Sequence, residues 1–230
     1  MAKRRDARAT PARRLLGACY GRAPLTRAAR KTEAATVGVA ENGNSAVLVT
    51  LSRLGELLDR RGIELTPSDF PTHPHHHEGS WAVGRYLSTP GARKLSLAEA
   101  VALVERVQVA AEKGARESLA ALAATVTSPI GAIALRVCPE LPPTIEGRIR
   151  DNRAQTVADT VMYRKALAGA AEARGWSVHW YDRERVFLDA AKALGVADVE
   201  ASLSAMGRML GPPWQAKHKL AAAAALAAKL

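Results

Sequence analysis

Aromatic residues are scarce in this chain, at 4% of 230 positions. A core with few large rings must be filled by aliphatic and small side chains, so closely packed helices are expected. Cysteine is nearly absent too. Cys19 and Cys138 lie in different regions, which excludes a disulfide framework and fits a reducing cytoplasm. No apolar run is long enough to span a bilayer, so no membrane role is expected. There is no phosphate-binding glycine loop, no paired CxxC and no HExxH. Their absence removes the usual nucleotide-binding and zinc signatures.

What the chain has in excess is alanine and arginine. Arginine greatly outnumbers lysine, a composition that resembles high-GC bacterial proteins and speaks to source rather than function. The formal net charge is +11, but it is unevenly placed. Residues 1–32 hold ten Lys and Arg, among them Arg4, Arg5, Arg13 and Arg14, against the single acid Asp6, a net +9. The remainder carries only +2. Residues 1–34 therefore read as a disordered basic arm that could bind DNA or RNA phosphates by counterion release. A solvated tail or an organellar transit peptide would have the same composition. Deleting residues 1–32 is expected to leave thermal stability nearly unchanged.

Residues 35–230 read as a single α/β domain with a mixed sheet. Thr36 to Ala40 is a β-compatible run that stops at Glu41-Asn42-Gly43-Asn44, where Asn-Gly signals a hairpin. Ala46 to Leu51 is a second run and Leu57 to Thr66 a third, with Arg60-Arg61-Gly62 expected as a bulge or turn. A helix through Leu51, Leu54, Leu57 and Leu58 competes with that third strand. Ser96 and Glu99 then form a capping box before a long helical pattern. Ile130 to Val137 is almost wholly apolar, as a strand covered on both faces should be. Thr144, behind Pro142-Pro143, is expected to cap one long helix ending at Arg174-Gly175. Trp176 to Tyr181 reads as a strand, with Asp182 expected to cap the next helix. A further helix follows Asp198, and the alanine-rich segment from Gln215 onward is helical by propensity.

The densest polar cluster is His73-Pro74-His75-His76-His77-Glu78. Imidazoles and a carboxylate suit Zn²⁺ or another transition metal, and in an extended segment His75 and His77 would share one face beside Glu78. A polar loop punctuated by Pro71 and Pro74 accounts for the same residues. Cys138 reads as a small core residue at a strand end. Asp159, Tyr163 and Arg164 follow Arg148, Arg150 and Arg153, and could line a ligand cleft, a nucleic-acid surface or a solvated helix face. Trp176, Trp180 and Tyr181 could stack on bases or fill the core.

A three-strand antiparallel meander followed by αβαβα resembles the ribonuclease H-like superfamily, which includes the RuvC-type Holliday-junction resolvases. The resemblance covers about residues 35–230 and rests on element order and a few positions. It implies that the strand of Val37 and Val39 lies beside that of Ile133 and Leu135. It also implies a catalytic, metal-holding acid at the end of the first strand, here Glu41, and a second after the fourth strand, here Glu140. The late helix of resolvases adds a further acidic motif. Here Trp214 to Leu220 offers His218 and no carboxylate, and glutamate stands on the first strand where aspartate is usual. Mg²⁺ or Mn²⁺ would be the cofactor, held by Glu41 and Glu140 with His218, or with His75, His77 and Glu78, completing the shell. The functional expectation is thus a metal-dependent nuclease or resolvase-like protein with a degenerate site. The alternative is a non-catalytic nucleic-acid-binding or adaptor protein on the same scaffold.

Overall fold

The structure, a computed structural model, describes residues 34–76 and 95–228. Five strands make one mixed sheet: β1 (Ala35–Asn42), β2 (Ser45–Leu51), β3 (Leu57–Glu64), β4 (Ile130–Arg136) and β5 (Ser177–Tyr181). Their spatial order is β3-β2-β1-β4-β5. The first three strands pair antiparallel, and β1–β4 and β4–β5 pair parallel. This is the ribonuclease H-like arrangement, with Val37 directly opposite Ile133.

Local chemistry sets the meander. Asn42 pairs with Ser45 across a two-residue loop, and Gly43 takes a left-handed φ of 60° there, which a side chain would resist. The competing helix does not form. Ser52 Oγ accepts the backbone N–H of Leu54 and Glu56, each at 3.2 Å, and this turn delivers the chain into β3. Arg60-Arg61-Gly62 is neither bulge nor turn: these residues pair in register with Val49, Leu48 and Val47. Both arginine side chains find partners while their backbone stays in the strand. Arg61 clasps Asp59 at 2.6 Å, and Arg60 donates to the carbonyls of Gly211, Pro212 and Pro213. The irregularity falls instead where Thr50 and Leu51 pair with Asp59 and Leu57.

Helix α1 (Leu97–Thr125) begins at the expected Ser96–Glu99 capping box and buries Ala100, Val104, Val107, Ala111, Ala115, Leu119 and Leu122. The single long helix expected from Thr144 is two. Thr144 caps α2 (Ile145–Arg150), and Asp151 then caps α3 (Asn152–Glu172). The break follows from Asp151 Oδ1 accepting the N–H of Arg153 and Ala154 at 2.8 and 3.0 Å. A carboxylate beside free N–H groups competes with helix continuation. Asp182 caps no helix. Its side chain accepts Glu184 N–H at 2.8 Å, forming a turn ahead of α4 (Val186–Leu194), whose N-cap is Arg185. Asp198 does cap α5 (Val199–Leu210), and α6 (Ala216–Ala227) follows.

Alternation along the strands sends side chains to two cores. Val37, Val39, Leu48, Ile133 and Leu135 face α1 and α3. Ala40, Val49, Leu51 and Ala134 face α6, with α4 and α5 packed around it. Helix α6 is enclosed, and Ala221 to Ala225 are all fully buried. Alanine is what permits this, because only small residues let the helix lie against strand backbone. At Gly38 an added Cβ would overlap the Ala221 carbonyl oxygen. No described helix is long and apolar enough to cross a membrane.

Candidate nucleic-acid interface at the strand ends

Parallel strands β1, β4 and β5 end on one side of the sheet, and three arginines gather there. Glu41, near the end of β1, has the same parity as Val37 and Val39, so it faces α3. Arg164 on α3 meets it, with Nε and Nη2 each 2.6 Å from Glu41 Oε1. The third guanidinium nitrogen, Nη1, donates to the Val137 carbonyl at 2.9 Å, just past the end of β4. Both side chains are about as buried as core residues, at 5% and 6% exposed. Removing one member of such a pair costs about 3–5 kcal/mol, because the other charge is left buried and unpaired.

Outside this pair lies a cleft of about 830 Å³, bordered by Arg136, Arg164 and Arg183, with Thr156, Thr160 and Cys138 on its wall. Asp182 and Glu184 line it as well. Cys138 is partly exposed there and so is not a core residue. Tyr181 registers the local field. Burial and then the Glu41 charge push its phenol up, against the pull of Arg164, Arg136 and Arg183. Its hydroxyl donates to the Val39 carbonyl at 2.8 Å.

A second polar cluster sits on the same α3 helix. Asp159 is fully buried. It accepts the His75 N–H at 3.0 Å, His75 Nδ1 at 2.7 Å and His76 Nδ1 at 3.0 Å. Burial alone would raise its carboxyl pKa, but the hydrogen bonds from both histidines and the His75 charge hold it below the ordinary range. One turn on, Tyr163 donates to the Thr72 carbonyl at 3.0 Å. The histidines therefore latch a 3-10 turn, Pro74–His76, onto α3. At His75 that turn stands where an extended segment was expected. His75 is buried with its Nδ1 committed to Asp159, and its Nε2 has no partner among the described residues. His77 and Glu78, like Arg4, Arg5, Arg13 and Arg14, lie outside the described residues.

The other expected site residues separate. Glu140 is exposed on the loop after β4, at the same sheet end as Glu41. His218 belongs to α6, on the opposite face from Glu41. There its Nδ1 accepts Gln215 N–H at 3.1 Å and its ring stacks on Trp214. Burial, then the nearby Arg60 charge, lower its pKa. Among the described residues no group of three or more His, Cys, Asp or Glu is placed to hold a metal ion. The donors present do not fit a divalent-cation pair, since the Glu41 carboxylate already carries a guanidinium. Arg164 and Asp159 stand out in sequence once their neighbours are read. Charged residues set among Ala158, Val161, Met162, Ala166 and Leu167 must be buried, and buried charges need partners.

No protein-family model matches the chain, and no curated protein matches it. Two solved structures are similar in topology. One is Thermus thermophilus RuvC in complex with a Holliday junction substrate, at 16% identity, covering 84% of this chain and 91% of that one, with a TM-score of 0.46. The other is Thermus thermophilus RuvC, at 13% identity, 84% and 92% coverage and a TM-score of 0.42. Likeness at this level transfers no residue role.

Proposed function

We propose that this protein binds nucleic acid through phosphate contacts in the strand-end cleft and does not cleave it by a metal-dependent route. The observation that carries this reading is the Glu41–Arg164 pair. The acid that the ribonuclease H-like resemblance would assign to a metal is neutralised by a buried arginine. A cation seated on Glu41 would have to share the carboxylate with a guanidinium that holds its Oε1 through two nitrogens and the Val137 carbonyl through the third. Arg136 and Arg183 also line the cleft, beside Asp182 and Glu184, and their guanidinium groups are natural partners for phosphate oxygens. The basic segment before β1 would add unspecific affinity.

Binding of labelled single-stranded, duplex and branched oligonucleotides, measured across salt concentrations, tests the reading. Each lost phosphate contact should flatten the slope of log affinity against log salt by about 0.7 for a single strand. Arg136→Gln with Arg183→Gln should therefore flatten it by roughly 1.4 while sparing the fold. No cleavage is expected with Mg²⁺ or Mn²⁺. Cleavage by wild type that Glu41→Gln and Glu140→Gln each abolish would restore the nuclease reading, which the shared sheet end of the two acids favours. Affinity indifferent to the arginine pair would overturn phosphate binding in this cleft.

A further inference from the structure

The aromatic residues of this chain are few, and among those described only Trp180 is exposed. Tyr163, Trp176 and Tyr181 are at most 7% exposed, whereas Trp180 is 45% exposed. Its position explains the exposure. Trp180 pairs with Leu135 of β4, so it projects on the α3 side of the sheet. It does so from β5, beyond which no strand pairs among the described residues. Val137, two residues past Leu135, projects on the same side and is 43% exposed. Val137 also borders the arginine cleft, and the chain leaving Trp180 adds Asp182, Arg183 and Glu184 to its lining. An exposed indole thus lies on the same face and at the same sheet end as a cleft lined by three arginines and two acids.

We infer that Trp180 is a base-stacking platform and that the cleft takes an unpaired strand rather than a duplex. This rests on the phosphate-binding reading above and goes one step beyond it. Within a duplex every base face is covered by its neighbours, so the indole finds no partner. A single strand offers both a phosphate for the arginines and a free ring for the tryptophan. Single-stranded DNA and single-stranded RNA share this chemistry. A strand with no bases offers only the phosphates.

The test uses the full chain and strands of about 12 nucleotides, a length within known single-strand footprints. Oligo-dT, oligo-rU and an abasic strand of equal charge are compared by fluorescence anisotropy. Wild type should bind a base-bearing strand roughly five- to 140-fold tighter than the abasic one, the range expected for one stacked base. The tighter of dT and rU identifies the natural strand. Trp180→Ala should erase the ratio while keeping abasic affinity, and Trp180→Phe should retain most of it. Circular dichroism verifies that both variants fold. An unchanged ratio in Trp180→Ala, or no base preference in wild type, overturns the inference. Arginine-dependent binding without base preference would sink only the stacking role. Absence of any binding would sink the phosphate reading with it.

Discussion

Replacing Asp159 with asparagine should unsettle the molecule more than any other single-atom exchange on α3. The carboxylate is buried and accepts three hydrogen bonds, two from imidazole rings and one from the His75 backbone. The amide keeps one acceptor oxygen for His75 and turns an N–H group toward His76. One bond is lost and two are weakened from charge-assisted to neutral. Charged hydrogen bonds contribute about 1.5–3 kcal/mol and neutral ones about 1, so the net loss should be about 2.5–7 kcal/mol. For a chain of this size that is a fall of roughly 5–28 °C in Tm. Urea unfolding followed by far-UV circular dichroism measures the difference. Acid titration adds a signature. The folded carboxyl pKa lies below its ordinary 3.8, so its contribution is complete above that value and is lost as pH falls through the folded pKa. The gap between wild type and Asp159→Asn should begin to narrow below about pH 4. A loss under about 1 kcal/mol, or a gap that widens on acidification, would refute the latch as described.

Two further outcomes follow from the packing on the α6 side. Gly38→Ala should cost about 3 kcal/mol or prevent folding, because the new methyl overlaps backbone that cannot rotate away; soluble yield and urea midpoint decide it, and a neutral substitution would show that α6 does not lie so close. Tyr181→Phe should cost about 1 kcal/mol by removing the hydroxyl bond to the Val39 carbonyl, with far-UV circular dichroism unchanged. A stabilised variant would place that hydroxyl elsewhere.

The strands were legible along the chain because their signals are local and repeated, while the adjacency of the first and fourth strands came only with the family resemblance. The Asn-Gly loop, the β-rich run from Ala46 and the apolar run from Ile130 each mark one strand, and together they leave few ways to form a sheet. The break at Asp151 was not legible as a boundary. Thr144 and Asp151 are both good caps, and the apolar spacing carries on through Ile149 and Ala154. Only the folded backbone shows the N–H groups of Arg153 and Ala154 turning to the carboxylate. The candidate site was half legible. Glu41 could be found from its place at the end of the first strand. Its partner lies 123 positions away, and no local pattern joins them. The histidine cluster drew notice for its ligand chemistry, yet the acid it serves is Asp159, on another element. Had the apolar surroundings of Asp159 and Arg164 been weighed, burial could have been expected for both, though not the identity of their partners.

The burial of α6 has a consequence for how the chain is made. Gly38 leaves the ribosome early, and the Ala221 backbone that covers it leaves on the order of ten seconds to half a minute later at about 5–20 residues per second. Until then Ala40, Val49, Leu51 and Ala134 have no helix against them. The α1–α3 side can close while synthesis continues, but the other side waits for the last helix to slide between the sheet and α4. A half-made molecule would show an apolar sheet face of the kind that chaperones hold and neighbouring nascent chains stick to. Ribosome-bound intermediates stalled before Ala216 should therefore be sensitive to protease and prone to aggregate.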